Sequence, residues 1–243
     1  MNLTIHGILN LLFPSACPVC GNDSDSHRHN PFCRSCWNAI ERYSGPACLI
    51  CGLPLVSDLA LHCESCMKTP PLFSKVIYYG IYEGILRKAI HLLKFERVKR
   101  LALPAAELLW ELPLPAADCI VPVPLHSSRL REREFNQTTL ISRHLSRYSG
   151  IPLLPDVLKK EKETLPQTDV TGKERLKNVK NAFSATDDAK GRSIILVDDV
   201  ITTGATVNEC ARVLRKAGAG SVTVLALARS VPKIGLTKVR DVS

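Results

Sequence analysis

From about residue 71 onward the apolar positions switch repeatedly between two periods. Val76–Tyr82 alternates weakly, as a strand does, and Gly84–Lys94 places Ile85, Leu86, Ala89, Ile90, Leu92 and Leu93 at helical spacing. Leu101–Leu112 reads as a helix. Cys119–Val123 reads as a short apolar strand closed by Pro122 and Pro124, and Thr138–Tyr148 as a helix through Leu140, Ile141 and Leu145. Ser193–Asp198 carries four consecutive apolar residues ended by carboxylates, which suits a parallel strand buried on both faces. Thr206–Ala217 has Val207, Cys210, Ala211, Val213 and Leu214 at helical spacing, Gly218 and Gly220 stop it, and Ser221–Leu227 alternates again. The result is a strand–loop–helix–strand unit with a right-handed crossover. The expected fold class is therefore α/β, with ligands outside the carboxyl ends of the strands, where Asp198 begins.

The first seventy residues read differently. Met1–Ala16 is apolar through Leu3, Ile5, Ile8, Leu9, Leu11, Leu12 and Phe13, but it has no Lys or Arg ahead of the apolar part and holds Pro14. A signal peptide begins with basic residues. The segment reads as a short amphipathic helix covering core, with a weak surface anchor as the alternative, and a cytoplasmic location is the expectation. Pro70-Pro71 marks a boundary between residues 1–70 and 71–243. Lys159–Lys180 is polar and charged, either a mobile lid or a solvated loop ending in a helix.

Eight cysteines account for the first region. Cys17/Cys20, Cys33/Cys36, Cys48/Cys51 and Cys63/Cys66 form four Cys-x-x-Cys pairs, twelve residues apart and then eleven and eleven. Each pair sets two thiolates at the bite of a tetrahedral zinc, with Zn–S near ~2.3 Å, and two pairs complete one site. Disulfides would require an oxidising compartment, and a thioredoxin-like centre uses one such pair rather than four. Two structural four-cysteine zinc sites are expected, supplying folding free energy that a segment this poor in large side chains cannot draw from a core. Gly21 and Gly52 follow the first and third pairs, where the turn needs a left-handed residue. This suggests that each of these pairs closes with the next one along the chain; a cross-braced pairing of first with third and second with fourth remains the alternative. With four thiolates per metal no position stays open for water, so these sites are structural. His27 and His29 read as loop residues, and Cys119 and Cys210, within apolar runs, as buried thiols.

Composition narrows the partners. The chain has 243 residues, 45% hydrophobic and 23% charged, which is ordinary for a globular protein. Aromatics make up only 5%, which argues against nucleic-acid binding dominated by base stacking. No run of about 18 uncharged apolar residues exists to span a membrane. The net charge of +9 favours anionic partners, from a phosphorylated metabolite to DNA. Arg87, Lys88, Lys94, Arg97, Lys99 and Arg100 cluster on one predicted helical region, as either a solvated face or a phosphate-facing edge.

Val197-Asp198-Asp199-Val200-Ile201-Thr202-Thr203-Gly204-Ala205-Thr206 carries the chemistry. A helix beginning near Gly204 turns unpaired N–H groups and the positive end of its dipole into the loop, where a phosphate is favoured. Thr202, Thr203 and Thr206 add hydroxyls, and Gly204 permits close backbone approach. Two carboxylates would repel a phosphate they touched, so they fit best a few ångströms away on sugar hydroxyls. The run lacks both G-K-[ST] and G-x-G-x-x-G. A tight acidic turn with a threonine N-cap is the plainer reading.

The run resembles the 5-phosphoribosyl-1-pyrophosphate (PRPP) signature of type I phosphoribosyltransferases. The whole chain is similar to the ComF/GntX family, which joins a double zinc ribbon to a phosphoribosyltransferase domain. Further matches are Cys48–Pro54, Leu93-Lys94-Phe95, Val121-Pro122-Val123-Pro124, Arg133 with Phe135-Asn136-Gln137, and Arg175 with Asn178 and Phe183. The resemblance implies a mainly parallel sheet flanked by helices after an N-terminal zinc-ribbon domain. It implies that Asp198 and Asp199 hold the ribose hydroxyls as the catalytic pair. Val200 and Thr202, Thr203, Gly204, Ala205 and Thr206 would hold the 5′-phosphate. Arg129 and Arg133 would sit near pyrophosphate, and Lys159–Asn178, with Arg175, would close over the reaction. Magnesium would arrive with PRPP. One position departs from the family: Glu134 stands where R-G-F-N-Q has glycine, costing about 1–2 kcal/mol if the backbone there is left-handed, whereas Glu would be favourable if the residue merely starts a helix.

The implied reaction displaces pyrophosphate from ribose C1 by a nitrogenous base, linked to DNA uptake (competence) or nucleotide salvage. The rivals are a non-catalytic PRPP or nucleotide sensor and a competence accessory that handles single-stranded DNA or docks a helicase. No Ser/His/Asp grouping suggests a covalent nucleophile, and His126, beside the proposed pyrophosphate loop, is either structural or ligand-contacting.

Overall fold

The computed structural model describes residues 15–162 and 179–231. The expected N-terminal helix, and Arg175 and Asn178 in the expected closing loop, lie outside the described residues.

Four strands make one sheet: β1 (Lys75–Ile81), β2 (Cys119–Pro122), β5 (Ser193–Ile201) and β6 (Ser221–Arg229). Their order is β1-β6-β5-β2 and every pairing is parallel. β5 is central because Ile194–Val197 is apolar on both faces, and all four of these side chains are buried. Ile195 and Val197 pack on one face with Ile141 and Leu145 of helix α6 (Gln137–Ser149). Ile194 and Leu196 pack on the other with Val207, Cys210, Ala211 and Leu214 of α7 (Ala205–Lys216). Both isolated cysteines of this region, Cys119 and Cys210, are fully buried, as their apolar runs predicted.

α3 (Gly84–Phe95) and α4 (Ala102–Trp110) cover the same face as α6. After α6 the chain returns beside β2, where Leu153 bridges Ile120 in parallel. The chain thus winds outward from β2 over one face and from β5 toward β6 over the other. The switch point lies between β2 and β5, and in sheets of this kind the crevice for a ligand is formed at the carboxyl ends of the strands flanking that point.

The structure corrects the sequence reading in several places. β5 does not end at the carboxylates but continues to Ile201, because β6 runs alongside it to Arg229. A short hairpin of β3 (Leu158–Lys160) and β4 (Phe183–Ala185), and helix α5 (Ser127–Arg133), were not foreseen. The six-residue basic cluster is also not one solvated face. Lys94 turns inward to Asp199, Arg97 pairs with Glu134, and Arg100 donates to Asn30.

The two cysteine-rich units repeat one design. Ala16 bridges Asp23 and Ala47 bridges Pro54, each antiparallel. Gly21 and Gly52 donate back to the carbonyls of Cys17 and Cys48, both at 2.9 Å and both with left-handed backbone (φ 77 and 66). Each unit ends in a five-residue helix, α1 (Arg34–Asn38) and α2 (Glu64–Lys68), entered from Cys33 and Cys63. Neither unit stands apart from the sheet. Phe32, Trp37 and Ile40 join the core that holds Tyr79, Leu86 and Ile90. Tyr43 stacks on Tyr78 with ring centroids 5.7 Å apart.

Gly52 lies against that contact: a β-carbon there would sit 2.8 Å from the Tyr78 ring, whereas one on Gly21 would meet nothing within 4 Å. Gly52→Ala is expected to cost about 2–4 kcal/mol, combining left-handed strain with overpacking, and Gly21→Ala only the strain, about 1–2 kcal/mol. Urea midpoints of the two variants check the difference.

Candidate functional site

The cysteines assemble in the sequential pairing. Cys17, Cys20, Cys33 and Cys36 form one group and Cys48, Cys51, Cys63 and Cys66 the other, with all ligand atoms of a group within 4.8 Å of one another. The cross-braced alternative is not what the chain builds. Sulfur–sulfur separations of 3.7 Å (Cys20–Cys33) and 3.6 Å (Cys51–Cys63) match the roughly 3.8 Å edge of a tetrahedron of thiolates bound at ~2.3 Å. Burial would raise the Cys17 thiol, yet N–H groups of Cys20, Cys33 and Val19 outweigh it and bring it down to about 6. Cys48 is likewise held at about 6, against burial, by N–H groups of Cys51, Cys63 and Ile50. Cys36 is pushed the other way, up to about 12, by its hydrogen bond with Cys33, so it is the clustering of four thiols that marks each group as a donor set for a thiophilic cation. His29 is no ligand: it stacks on Trp37 at 5.0 Å and bonds Ser26 at 3.0 Å.

The second site lies at the switch point. Because Asp198 and Asp199 are still within β5, strand alternation sends them to opposite faces. Asp199, 3% exposed, turns toward α3 and α6: Lys94 Nζ donates to its Oδ1 and Gln137 Nε2 to its Oδ2, each at 2.7 Å. Asp198 lies toward α7 and accepts the Asp199 N–H at 2.9 Å. Its burial, and then the charge of Asp199, push it up to about 7 despite Lys94 and Lys160. The two acids therefore differ: Asp199 is a clamped carboxylate, whereas Asp198 takes up a proton near neutrality.

Beyond Ile201 the chain turns through Thr202, Thr203 and Gly204 into α7. Gly204 caps the helix in the left-handed region (φ 80), with no side-chain cap of its own, and Thr203 Oγ1 accepts the Ala205 N–H at 3.3 Å. A helix amino end so finished keeps N–H groups directed into the loop. Val200 is packed against the core beneath the loop and Ala205 is buried. Thr202, Thr203 and Thr206 thus share one turn with Gly204. Arg229, 4% exposed, braces this turn. Its Nη1 donates to the Ile201 carbonyl at 2.9 Å, to that of Ser230 at 3.2 Å, and to that of Thr202.

The adjoining wall comes from β2, where Val123 N donates to Val197 O at 2.9 Å. His126 caps α5 by accepting from the Ser128 N–H, a structural role. Arg133 lies with its guanidinium over Phe95, 4.9 Å from the ring centroid. Burial lowers its pKa, Asp199 opposes that shift, and Arg129 adds to it, so the two arginines share the neighbourhood of Asp199. Glu134 does not start a helix. It ends α5 in the left-handed region (φ 65) and pairs outward with Arg97 at 3.1 Å. Its backbone therefore adopts the conformation that glycine would take without strain, while its charge is drawn off to an exposed arginine.

Sequence reasoning counted Gln137 only as a family match, took Lys94 as a family match and as one of six clustered cations, and passed over Arg229. Lys94 carries a readable signal as the one cation ending the apolar run Ile90–Leu93, whereas Arg229 carries none that separates it from an ordinary strand end.

Comparison with known proteins agrees with this architecture. A double zinc ribbon domain matches residues 8–67 and a phosphoribosyl transferase domain residues 138–235. The fold is thus the type I phosphoribosyltransferase fold, a parallel sheet flanked by helices, preceded by a zinc-ribbon domain with two four-cysteine sites. The chain is 37% identical over 214 residues to competence protein F of Haemophilus influenzae, covering 83% of this chain and 91% of that one. It is 34% identical over 213 residues to the DNA utilization protein YhgH of Salmonella typhi, covering 84% and 92%. Among solved structures, glutamine PRPP amidotransferase from B. subtilis is similar at 21% identity and TM-score 0.40; the match covers 57% of this chain and 30% of that protein. The chain belongs to the ComF family of competence proteins. No helix among the described residues is long and apolar enough to cross a membrane.

The metal sites predict two zinc ions per chain by atomic absorption, and one after Cys36→Ser or Cys66→Ser. The raised Asp198 carboxyl makes stability depend on pH. Between about pH 4 and 7 the folded chain holds a proton that the unfolded chain releases, so stability falls as pH rises through that window. Asp198→Asn abolishes the penalty. Its unfolding free energy from urea titration is expected to exceed the parent's at pH 8, by on the order of 1–3 kcal/mol, and by less at pH 5.5.

Proposed function

We propose that the protein binds PRPP with magnesium at this crevice and displaces pyrophosphate from ribose C1 by a nitrogenous base, in a pathway tied to DNA uptake or nucleotide salvage. The observation that carries the reading is the Thr202–Thr206 turn, in which a left-handed glycine with no capping side chain of its own opens a helix at the carboxyl end of the central strand. That is a seat for a terminal phosphate. From it the ribose reaches back toward Asp198 and Asp199, and C1 faces the wall bearing Arg129 and Arg133. Arg175, which lies outside the described residues, would belong to the segment that closes over the substrate. The working lobe is residues 71–243, and residues 1–70 form the zinc-bearing lobe.

In the reaction the C1–O bond breaks and pyrophosphate leaves with the electron pair. The C1–N bond forms, and the base gives up a proton to solvent or to a nearby carboxylate. The transition state is oxocarbenium-like. Carboxylates placed near C1 oppose its positive charge, and arginines placed on the far side draw off the departing anion. Magnesium bound with the substrate would neutralise pyrophosphate and keep several of its waters. The chain's own share is position and charge, and no covalent nucleophile is called for.

Glu134 favours a second reading, a PRPP or nucleotide sensor without turnover. Its left-handed backbone directly follows Arg133, an arginine intended for pyrophosphate, where the family's glycine would sit without strain. The printed names of the relatives concern competence and DNA utilization, which fits either reading and also fits an accessory that meets single-stranded DNA or a helicase.

Calorimetric titration with magnesium and PRPP is expected to show one site per chain, weakened at least about tenfold by Gly204→Val, which removes backbone freedom at the seat. Pyrophosphate release with a panel of bases then separates enzyme from sensor. A protein that ignores PRPP at millimolar concentration is not of this kind.

A further inference from the structure

We propose that Lys94 is a positioning residue for the PRPP site: it holds Asp199 in place and supplies the counter-charge that lets two adjacent acids stand together where the ribose binds. The proposal deepens the PRPP reading and rests on it.

Lys94 comes from α3, far in sequence from the phosphate turn. It stands at the end of the buried run Ile90, Leu92 and Leu93, yet it turns inward. Its ammonium and the Asp199 carboxylate are 2.7 Å apart, with side chains 18% and 4% exposed. Gln137 of α6 takes the other oxygen at 2.7 Å. One donor on each oxygen, from two different helices, fixes the plane of the carboxylate. Each oxygen still has a lone pair for a sugar hydroxyl. The clamp therefore aims Asp199 without using it up.

The charge arrangement requires this cation. Asp198 and Asp199 are consecutive, and although strand alternation turns them to opposite faces, the charge of Asp199 still adds to the rise of the buried Asp198 carboxyl. Around them stand Lys94 from α3, Arg133 from α5, Gln137 from α6, Lys160 from β3 and the Cys210 thiol from α7. Arg133 is stacked over Phe95, on the wall proposed for pyrophosphate. Among the described residues, Lys94 is the cation whose ion pair with Asp199 is direct, at 2.7 Å. Its charge opposes the rise of the Asp198 pKa, so deleting it pushes that carboxyl further up, and the pair keeps its proton past neutral pH, where the parent has begun to lose it, and offers one fewer acceptor to the ribose.

The test is titration of the parent, Lys94→Met and Lys94→Arg with magnesium and PRPP from pH 6 to 9, each at a temperature where it is folded. The parent is expected to bind with little pH dependence above pH 7. Lys94→Met is expected to bind at least tenfold more weakly at pH 7 and to recover most of that loss by pH 9. Lys94→Arg, which keeps the charge, is expected to stay within about threefold of the parent. A structural defect alone would weaken binding equally at every pH and would not be rescued by arginine. If Lys94→Met does not fold, Lys94→Gln, which donates a hydrogen bond without charge, replaces it with the same expected profile. If the parent binds and the uncharged variant binds equally well at pH 7, Lys94 has no such role and the PRPP reading survives. If the parent itself does not bind PRPP, both fall together.

Discussion

A buried carboxylate has to be compensated, and Asp199 meets that requirement with groups from two helices. Its ion pair with Lys94 ties α3 to the central strand, and its hydrogen bond from Gln137 ties α6 to the same point. Removing one partner of such a pair costs about 3–5 kcal/mol, because the other charge is left uncompensated. The two helices on one face of the sheet are thereby set relative to the carboxyl end of β5, which is where the crevice needs them. Packing alone would hold α3 and α6 against the sheet. The charged contact fixes where along the sheet they stop.

On the other face the demands differ. α7 packs through Val207, Cys210, Ala211 and Leu214 and carries no charge into the core except Glu209, which Arg212 and the Asn181 N–H satisfy. This leaves its amino end as the feature that matters there. Arg229 holds the preceding turn from below by its backbone carbonyls, and Thr203 Oγ1 closes it from above by accepting the Ala205 N–H, so the turn's shape rests on main-chain carbonyls and one hydroxyl together.

Much of this was legible in the sequence, and the exceptions have physical reasons. Ile194–Val197 announced the central strand because a strand buried on both faces has no polar positions to confuse it. The eight cysteines announced their sites because their spacing repeats. α5 stayed hidden because none of its residues is buried, so it leaves no periodicity to read. The β3–β4 hairpin stayed hidden because three-residue strands containing Lys159 and Lys160 look like any solvated loop. Lys94 looked like one of six surface cations; its place at the end of an apolar stretch hinted at an inward turn, but the buried acid it meets is more than a hundred residues away in sequence. The split of Asp198 and Asp199 to opposite faces followed from β5 reaching four residues past its apolar run, to Ile201, a length set by its neighbour β6.

β1 is the outermost strand on its side of the sheet, and its free edge is not left bare. The Val76 N–H donates to Ile50 O and Tyr79 O accepts from the Tyr43 N–H, at 2.7 and 2.8 Å. The cysteine-rich lobe thus occupies backbone positions that would otherwise invite a strand from another molecule. A chain stripped of its metals would lose the cover together with the knuckles that carry it. The first symptom of zinc starvation in such a protein would then be self-association through an uncovered margin, ahead of any change in the crevice on the opposite side of the sheet's centre.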